Sequence, residues 1–121
     1  MNIEKYQDLF VWQKAMQLVK LVYVLTQKLP KEELYSLSSQ MRRAAVSIPS
    51  NIAEGYERGS RKEYVRFLCI SKGSNAELRT QLQICLDIGY LSENDVMPVV
   101  EIANEVGKML RVLIIKLTPM P

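Results

Sequence analysis

The sequence predicts an all-α protein, an up-down four-helix bundle in one domain. Three observations carry this. Apolar residues recur at helical spacing almost throughout the chain. The breaks between these stretches are short and hold proline, glycine or serine. No run alternates apolar and polar residues as a half-buried strand would. The chain has 121 residues, 48% of them hydrophobic and 24% charged, which suits one globular domain spanning 1–121. Four amphipathic helices with short connections bury their apolar stripes against one another as a bundle.

The first helix is expected over Leu9–Lys28, with Asp8 as N-cap. Its stripe reads Trp12, Met16, Val19, Tyr23 and Thr26. Leu29-Pro30 ends it, because the residue before proline is pushed out of the α region. A short turn, Lys31–Tyr35, precedes a second helix beginning near Ser36–Ser39 and reaching about Glu54. Its stripe is Met41, Ala44, Ala45, Ile48 and Ile52. Pro49 lies inside it and predicts a kink, and Gly55 reads as a C-cap or a loosening point. Ser60-Arg61-Lys62-Glu63 is a capping box opening the third and longest helix. That helix has the stripe Tyr64, Phe67, Leu68, Ser71, Asn75, Leu78, Leu82, Cys85 and Leu86, and ends near Gly89. The small residues of Ser71–Ala76 let another helix approach closely. Ser92–Asp95 opens the fourth helix, whose early turn tolerates Pro98. Its stripe is Val99, Ala103, Val106, Leu110, Leu113 and Leu117, and Thr118-Pro119 stops it.

Helix one carries a second apolar set, Val11, Leu18, Leu21, Val22 and Leu25, and helix three another, Cys69, Ile70, Ile84 and Ile88. A bundle helix needs one apolar stripe. The surplus predicts self-association over a monomer.

Composition excludes several function classes. The chain has no histidine, which removes that residue as general base, triad member and metal ligand. Cys69 and Cys85 lie sixteen residues apart on one predicted helix, about 24 Å along its axis. A disulfide needs Cα atoms within roughly 7 Å, so the thiols are free and form no metal site. Free thiols fit a reducing compartment, and runs such as Leu21–Leu25 are too short to span a membrane, so a cytoplasmic protein is expected. Gly55–Gly59 lacks the spacing and the lysine of a phosphate loop. Neither an active site nor a cofactor is predicted, and the chain is not read as an enzyme.

The net charge is only +3, but it is unevenly placed: Arg42 to Lys72 holds seven basic and three acidic residues. Two constellations stand out. Along the second helix Arg43, Ser47, Ser50, Asn51 and Glu54 gather on a side away from the apolar stripe. Glu63 and Glu77 share one face of the third helix, and either could meet Arg43. With Gln40, these residues read as an inter-helix hydrogen-bond and ion-pair network fixing helix register, since buried polar groups must be satisfied. A catalytic carboxylate or ligand pocket is the other reading, and no nucleophile or metal set supports it. The second constellation is a basic strip. Arg61, Lys62, Lys72 and Arg79 fall within an arc of about 100° on the third helix. Arg58 and Arg66 flank the strip, and Arg42 is a further candidate off the network face. Such a strip either tracks phosphates, with salt-sensitive contacts, or is a solvated helix face. Tyr56 and Tyr64 lie near enough to stack on bases, unless Tyr64 is core.

The segment from Ser39 to Gly55, SQMRRAAVSIPSNIAEG, resembles the signature of the bacterial four-helix-bundle family named after the 23S ribosomal RNA intervening sequence. Leu9–Ala15, Gly73–Leu78 and Ile88–Leu91 match it in the same order, so the resemblance covers nearly the whole chain. Matching signature positions are Gln40, Arg42, Arg43, Ser47, Pro49, Asn51, Glu54, Gly55 and Glu77. The resemblance implies a bundle and a homopentameric ring. Some members are encoded within intervening sequences of 23S ribosomal RNA genes, and some carry ribosomal-protein names. It also implies a distant similarity to the accessory variability protein of diversity-generating retroelements, a basic pentamer that binds nucleic acid and a reverse transcriptase. The present chain departs from that relative in being only mildly basic. The expected partners are copies of itself and structured RNA, or else a protein partner in a scaffold that binds no nucleic acid. No membrane partner is expected.

Overall fold

The computed structural model describes residues 2–119. Four helices fill it: α1 (Phe10–Thr26), α2 (Leu37–Glu57), α3 (Arg61–Asp87) and α4 (Glu93–Leu117). Short 3₁₀ turns at Tyr6–Asp8 and Lys31–Glu33 precede α1 and α2. Each helix packs on its chain neighbours, and α1 closes the square on α4. Specific contacts show the antiparallel directions. Ser71 Oγ donates to Ile48 O at 2.9 Å, and Ser47 and Ser74 share a hydroxyl hydrogen bond of 2.8 Å. Lys14 meets Glu105 at 3.0 Å and Lys28 meets Asp95 at 2.7 Å. No strand occurs among the described residues.

Helix ends follow local chemistry. Ser60 Oγ accepts from Glu63 N at 3.1 Å. Only this half of the expected capping box forms, because the Glu63 carboxylate turns to Arg66 instead. Ser92 and Asp95 form the complete reciprocal box. Gly89 takes φ +83, a left-handed conformation natural to glycine, and the Tyr90 amide reaches back to Cys85 O at 3.0 Å to close α3. Asp8 is not the cap of α1, contrary to expectation; Leu9 holds that position. The Asp8 carboxylate turns back to accept from the Glu4 and Lys5 amides of the preceding turn.

Helix α2 differs from expectation at its end. It runs unbroken through the buried Pro49 and continues past Gly55 to Glu57. Gly55 is buried in the last turn of α2, where a Cβ would sit 2.7 Å from Phe67 Cβ. The residue serves the close approach of α2 to the first turns of α3, not helix termination.

The core takes Met41, Ala44, Ala45, Ile48 and Ile52 from α2, with Leu68, Leu78, Leu82 and Cys85 from α3. From α4 it takes Val96, Val99, Ala103, Val106 and Leu110. On α1 the buried face is Val11, Ala15, Leu18, Val22 and Leu25. Each of these precedes by one position a residue of the expected stripe, so the helix is turned by about 100°. Trp12 and Val19 pack at the edge of the core, and Trp12 meets Tyr6 edge-on at 5.5 Å. The α1 residues read as a surplus docking patch are therefore largely core. On α3, Ile70, Ile84, Ile88 and Cys69 do remain exposed.

Candidate nucleic-acid interface

The core face of α3 leaves two flanks. At 100° per residue, Arg61, Lys72 and Arg79 fall toward α4, and Ile70, Glu77, Ile84 and Ile88 fall toward α2. The hydrogen bonds fit this placement, since Ser71 and Ser74 reach α2 while Asn75 reaches α4.

The predicted cations divide into two groups. Arg42, Arg58 and Arg66 are engaged within the fold. Arg42 Nε donates to Thr26 Oγ1 at 2.9 Å, and its guanidinium lies 4.9 Å from the centre of the Tyr23 ring. Arg58 bonds Glu54 at 2.8 Å and lies 3.8 Å from Glu63. Arg66 bonds Glu63 at 2.9 Å. Both guanidinium groups stack on the ring of Phe67, at 4.9 and 4.8 Å. The hydrogen bond from Arg58 to Glu54 raises the arginine's already high pKa. Arg61, Lys62, Lys72 and Arg79 form the second group. All four are exposed, and no carboxylate among the described residues pairs with them.

Helix α4 adds two cations absent from the sequence-level strip. Lys72, Arg79, Asn104, Gly107, Lys108 and Arg111 line one polar groove between α3 and α4. Beside it lies Asn75, fully buried, whose Nδ2 donates to Ala103 O at 3.1 Å and whose Oδ1 accepts from Arg79 Nε at 3.1 Å. Gly107 keeps space for this amide, since a Cβ there would stand 3.2 Å from Asn75 Oδ1. Lys108 and Arg111 escape a local reading of charge because 36 positions separate Lys72 from Lys108. The signal available was their spacing of three along an exposed face of the helix that follows α3.

The predicted polar network forms only in part. Asn51 Nδ2 donates to Ser47 O at 2.8 Å and to Ser47 Oγ at 2.9 Å, and Ser47 reaches Ser74. Glu54 serves Arg58 rather than Arg43. Gln40, Arg43, Glu77 and Gln81 line a separate polar pocket between α2 and α3. Arg43 and Glu77 share that pocket without forming an ion pair, while Gln81 Oε1 is buried with no hydrogen-bond partner among the described residues. The geometric reason is that both Arg43 and Glu77 stay exposed, outside the packed seam that holds Ser47 and Ser74. Tyr56 and Tyr64 pack edge-on at 5.9 Å. Tyr64 is half-buried, and burial pushes its phenol up to about 12. These rings pack on each other rather than standing free for bases.

The thiols are separate and free. Cys85 is buried against Met41, with the two sulfurs 3.7 Å apart, and burial pushes its pKa up. That places it far from the reactive thiolate regime. Among the described residues no group of three or more acidic or thiol ligands is placed to hold a metal ion. None of the described helices is long and apolar enough to cross a membrane.

The fold and surface define an antiparallel four-helix bundle with a basic flank. The chain belongs to the 23S rRNA-intervening sequence protein family, whose model matches residues 7–112. It is similar in structure to a protein of unknown function of the S23 ribosomal protein family from Bacteroides thetaiotaomicron VPI-5482. The two share 23% identity over 86% of this chain and 94% of that one, with a TM-score of 0.80. At that identity the likeness establishes the fold. No curated protein matches the chain.

Proposed function

We propose that this chain is a non-enzymatic, homo-oligomeric accessory protein, cytoplasmic in location, that associates with structured RNA through its phosphates. The observation that carries the reading is the division of the cations: Arg61, Lys62, Lys72 and Arg79 stay exposed with no carboxylate partner among the described residues, while Arg58 and Arg66 are paired. Unneutralised cations along one helix attract a polyanion and release its counterions. Ring closure by five copies, the assembly implied by the family resemblance, repeats the strip around a common axis. Exposed Ile70, Ile84 and Ile88 on the other flank of α3 supply apolar surface for such contacts. The distant similarity to the retroelement accessory protein fits the same reading.

The test is fluorescence anisotropy of a labelled RNA hairpin across a salt series. Affinity should fall linearly with salt on logarithmic axes, with several phosphates contacted. The double reversal Arg61→Glu with Lys62→Glu should abolish binding while light scattering reports unchanged assembly. Undiminished affinity of that variant counts against the reading. A second reading, a protein-interaction scaffold that binds no nucleic acid, is favoured by the apolar groove at Leu9, Phe10, Met109, Val112 and Leu113, where Phe10 is 61% exposed. Failure of the wild-type protein to bind RNA at low salt, while folded and assembled, selects it.

A further inference from the structure

The groove between α3 and α4 gathers four cations from two helices. Lys72 and Arg79 form one wall and Lys108 and Arg111 the other, with the Asn104 amide beside them. No carboxylate among the described residues pairs with any of the four. Like charges three or four positions apart, such as Lys108 and Arg111, disfavour a helix slightly. Bringing a second pair across from the next helix adds to that cost. A fold that carries such a cluster without internal acids is stabilised by any anion that enters it.

The groove also has a prepared donor. A guanidinium offers five N–H groups in a fixed fork. Arg79 uses its Nε on the buried Asn75, which is itself held by Ala103 O. The terminal nitrogens Nη1 and Nη2 remain for a ligand, and their planar fork matches two oxygens of a phosphate. Gly107 leaves Asn75 room to hold this position. The arrangement differs from a row of mobile lysines in that one of its cations is oriented from beneath by a fully buried amide.

We propose that this groove is a phosphate clamp for the RNA backbone: Arg79, oriented by Asn75, grips one phosphate, and Lys72, Lys108 and Arg111 neutralise its neighbours. The inference rests on the RNA reading above and assigns it a site that includes α4. Binding there engages the backbone and not base edges, so it tolerates changes of sequence.

The experiment uses the full chain and two probes. The first is the labelled RNA hairpin in a salt series; the second is tripolyphosphate, read as a shift in melting temperature. In Lys108→Glu with Arg111→Glu, RNA affinity should fall at least about tenfold, and a matching Lys108→Gln with Arg111→Gln pair should flatten the salt slope by about the share of two contacts. Tripolyphosphate should raise the wild-type melting temperature and leave that of both double variants unmoved. Arg79→Lys keeps the charge and loses the fork, so it should weaken binding severalfold with an unchanged salt slope; full affinity in that variant removes the positioning role of Asn75. Wild-type RNA binding that survives both double substitutions overturns the clamp and leaves the RNA reading standing. Tripolyphosphate stabilisation that needs Lys108 and Arg111, without any RNA binding, overturns the RNA backbone as occupant and leaves a polyphosphate site. Absence of both responses overturns clamp and RNA reading together.

Discussion

Two sets of cations on and beside α3 are used differently. Around the start of α3, Arg58 and Arg66 face Glu54 and Glu63, and both guanidinium groups lie against the Phe67 ring. Further along, Lys72 and Arg79 face Lys108 and Arg111 across a groove with no acid in it. The first set is spent on acids and a ring of the fold itself, and the second has no carboxylate partner among the described residues. Charge density along a sequence therefore overstates a binding surface wherever carboxylates three or four positions away fold back onto the same cations. What matters is the charge left after the helices have packed.

The largest effect expected on this contrast comes from Phe67→Ala, which removes the ring beneath both paired arginines. Phe67 is 7% exposed, and loss of such a side chain costs about 3–5 kcal/mol; urea unfolding should show it as a lower midpoint. Gly55→Ala attacks the same seam from the other helix. Its Cβ would stand 2.7 Å from Phe67 Cβ, an overpacking that costs about 1–3 kcal/mol, and a melting temperature equal to wild type would show that the seam relaxes freely.

Paired cations elsewhere should behave like Arg58, not like Lys108. At the α1–α4 contact, the hydrogen bond from Lys28, helped by Ser92, holds the Asp95 carboxyl at about 2, below its ordinary 3.8. A depressed carboxyl contributes stability that is fully present above its unfolded pKa and lost as pH falls through the folded one. Asp95→Asn should thus melt lower than wild type at neutral pH. The gap should narrow below about pH 4 and close near pH 2; a gap independent of pH would assign it to something other than this charge. Replacing Arg58 and Arg66 together by glutamine sharpens the comparison directly. RNA affinity should change by less than about threefold, against at least about tenfold in the groove, and a larger loss would erase the distinction between the paired and the unpaired cations. The smallest effect is expected of Arg43→Ala. Its side chain is exposed and has no bonded partner among the described residues, so stability should stay within about 0.5 kcal/mol of wild type. A clear drop in melting temperature would restore the ion-pair network first expected there.

Helix boundaries and most core faces were legible because polar and apolar residues fall on separate faces of α2, α3 and α4 at helical spacing. Met41, Ala44, Ala45, Ile48 and Ile52 stand between Arg42, Arg43 and Ser50, and only one face can be buried. Helix α1 has no such contrast. Val11 and Trp12, Ala15 and Met16, Leu18 and Val19, Val22 and Tyr23 are neighbouring apolar pairs, and packing against α2 and α4 decides which member turns inward. The alignment of Glu54 with Arg58 and of Glu63 with Arg66 is a spacing of four and three, readable in the chain once acids are weighed against each cation. Lys108 and Arg111 became visible as part of the groove only with the antiparallel packing of α3 and α4. Gly55 looked like a terminator because its use, a close approach by Phe67, lies on another helix.

The two thiols of α3 give the bundle a built-in clock. Cys69 stands in solvent and Cys85 is sealed beside Met41. A thiol reagent will consume the first at once and reach the second only when the helices part. The rate of that second reaction counts openings of the native state, and its dependence on reagent concentration separates how often the bundle opens from how long it stays open.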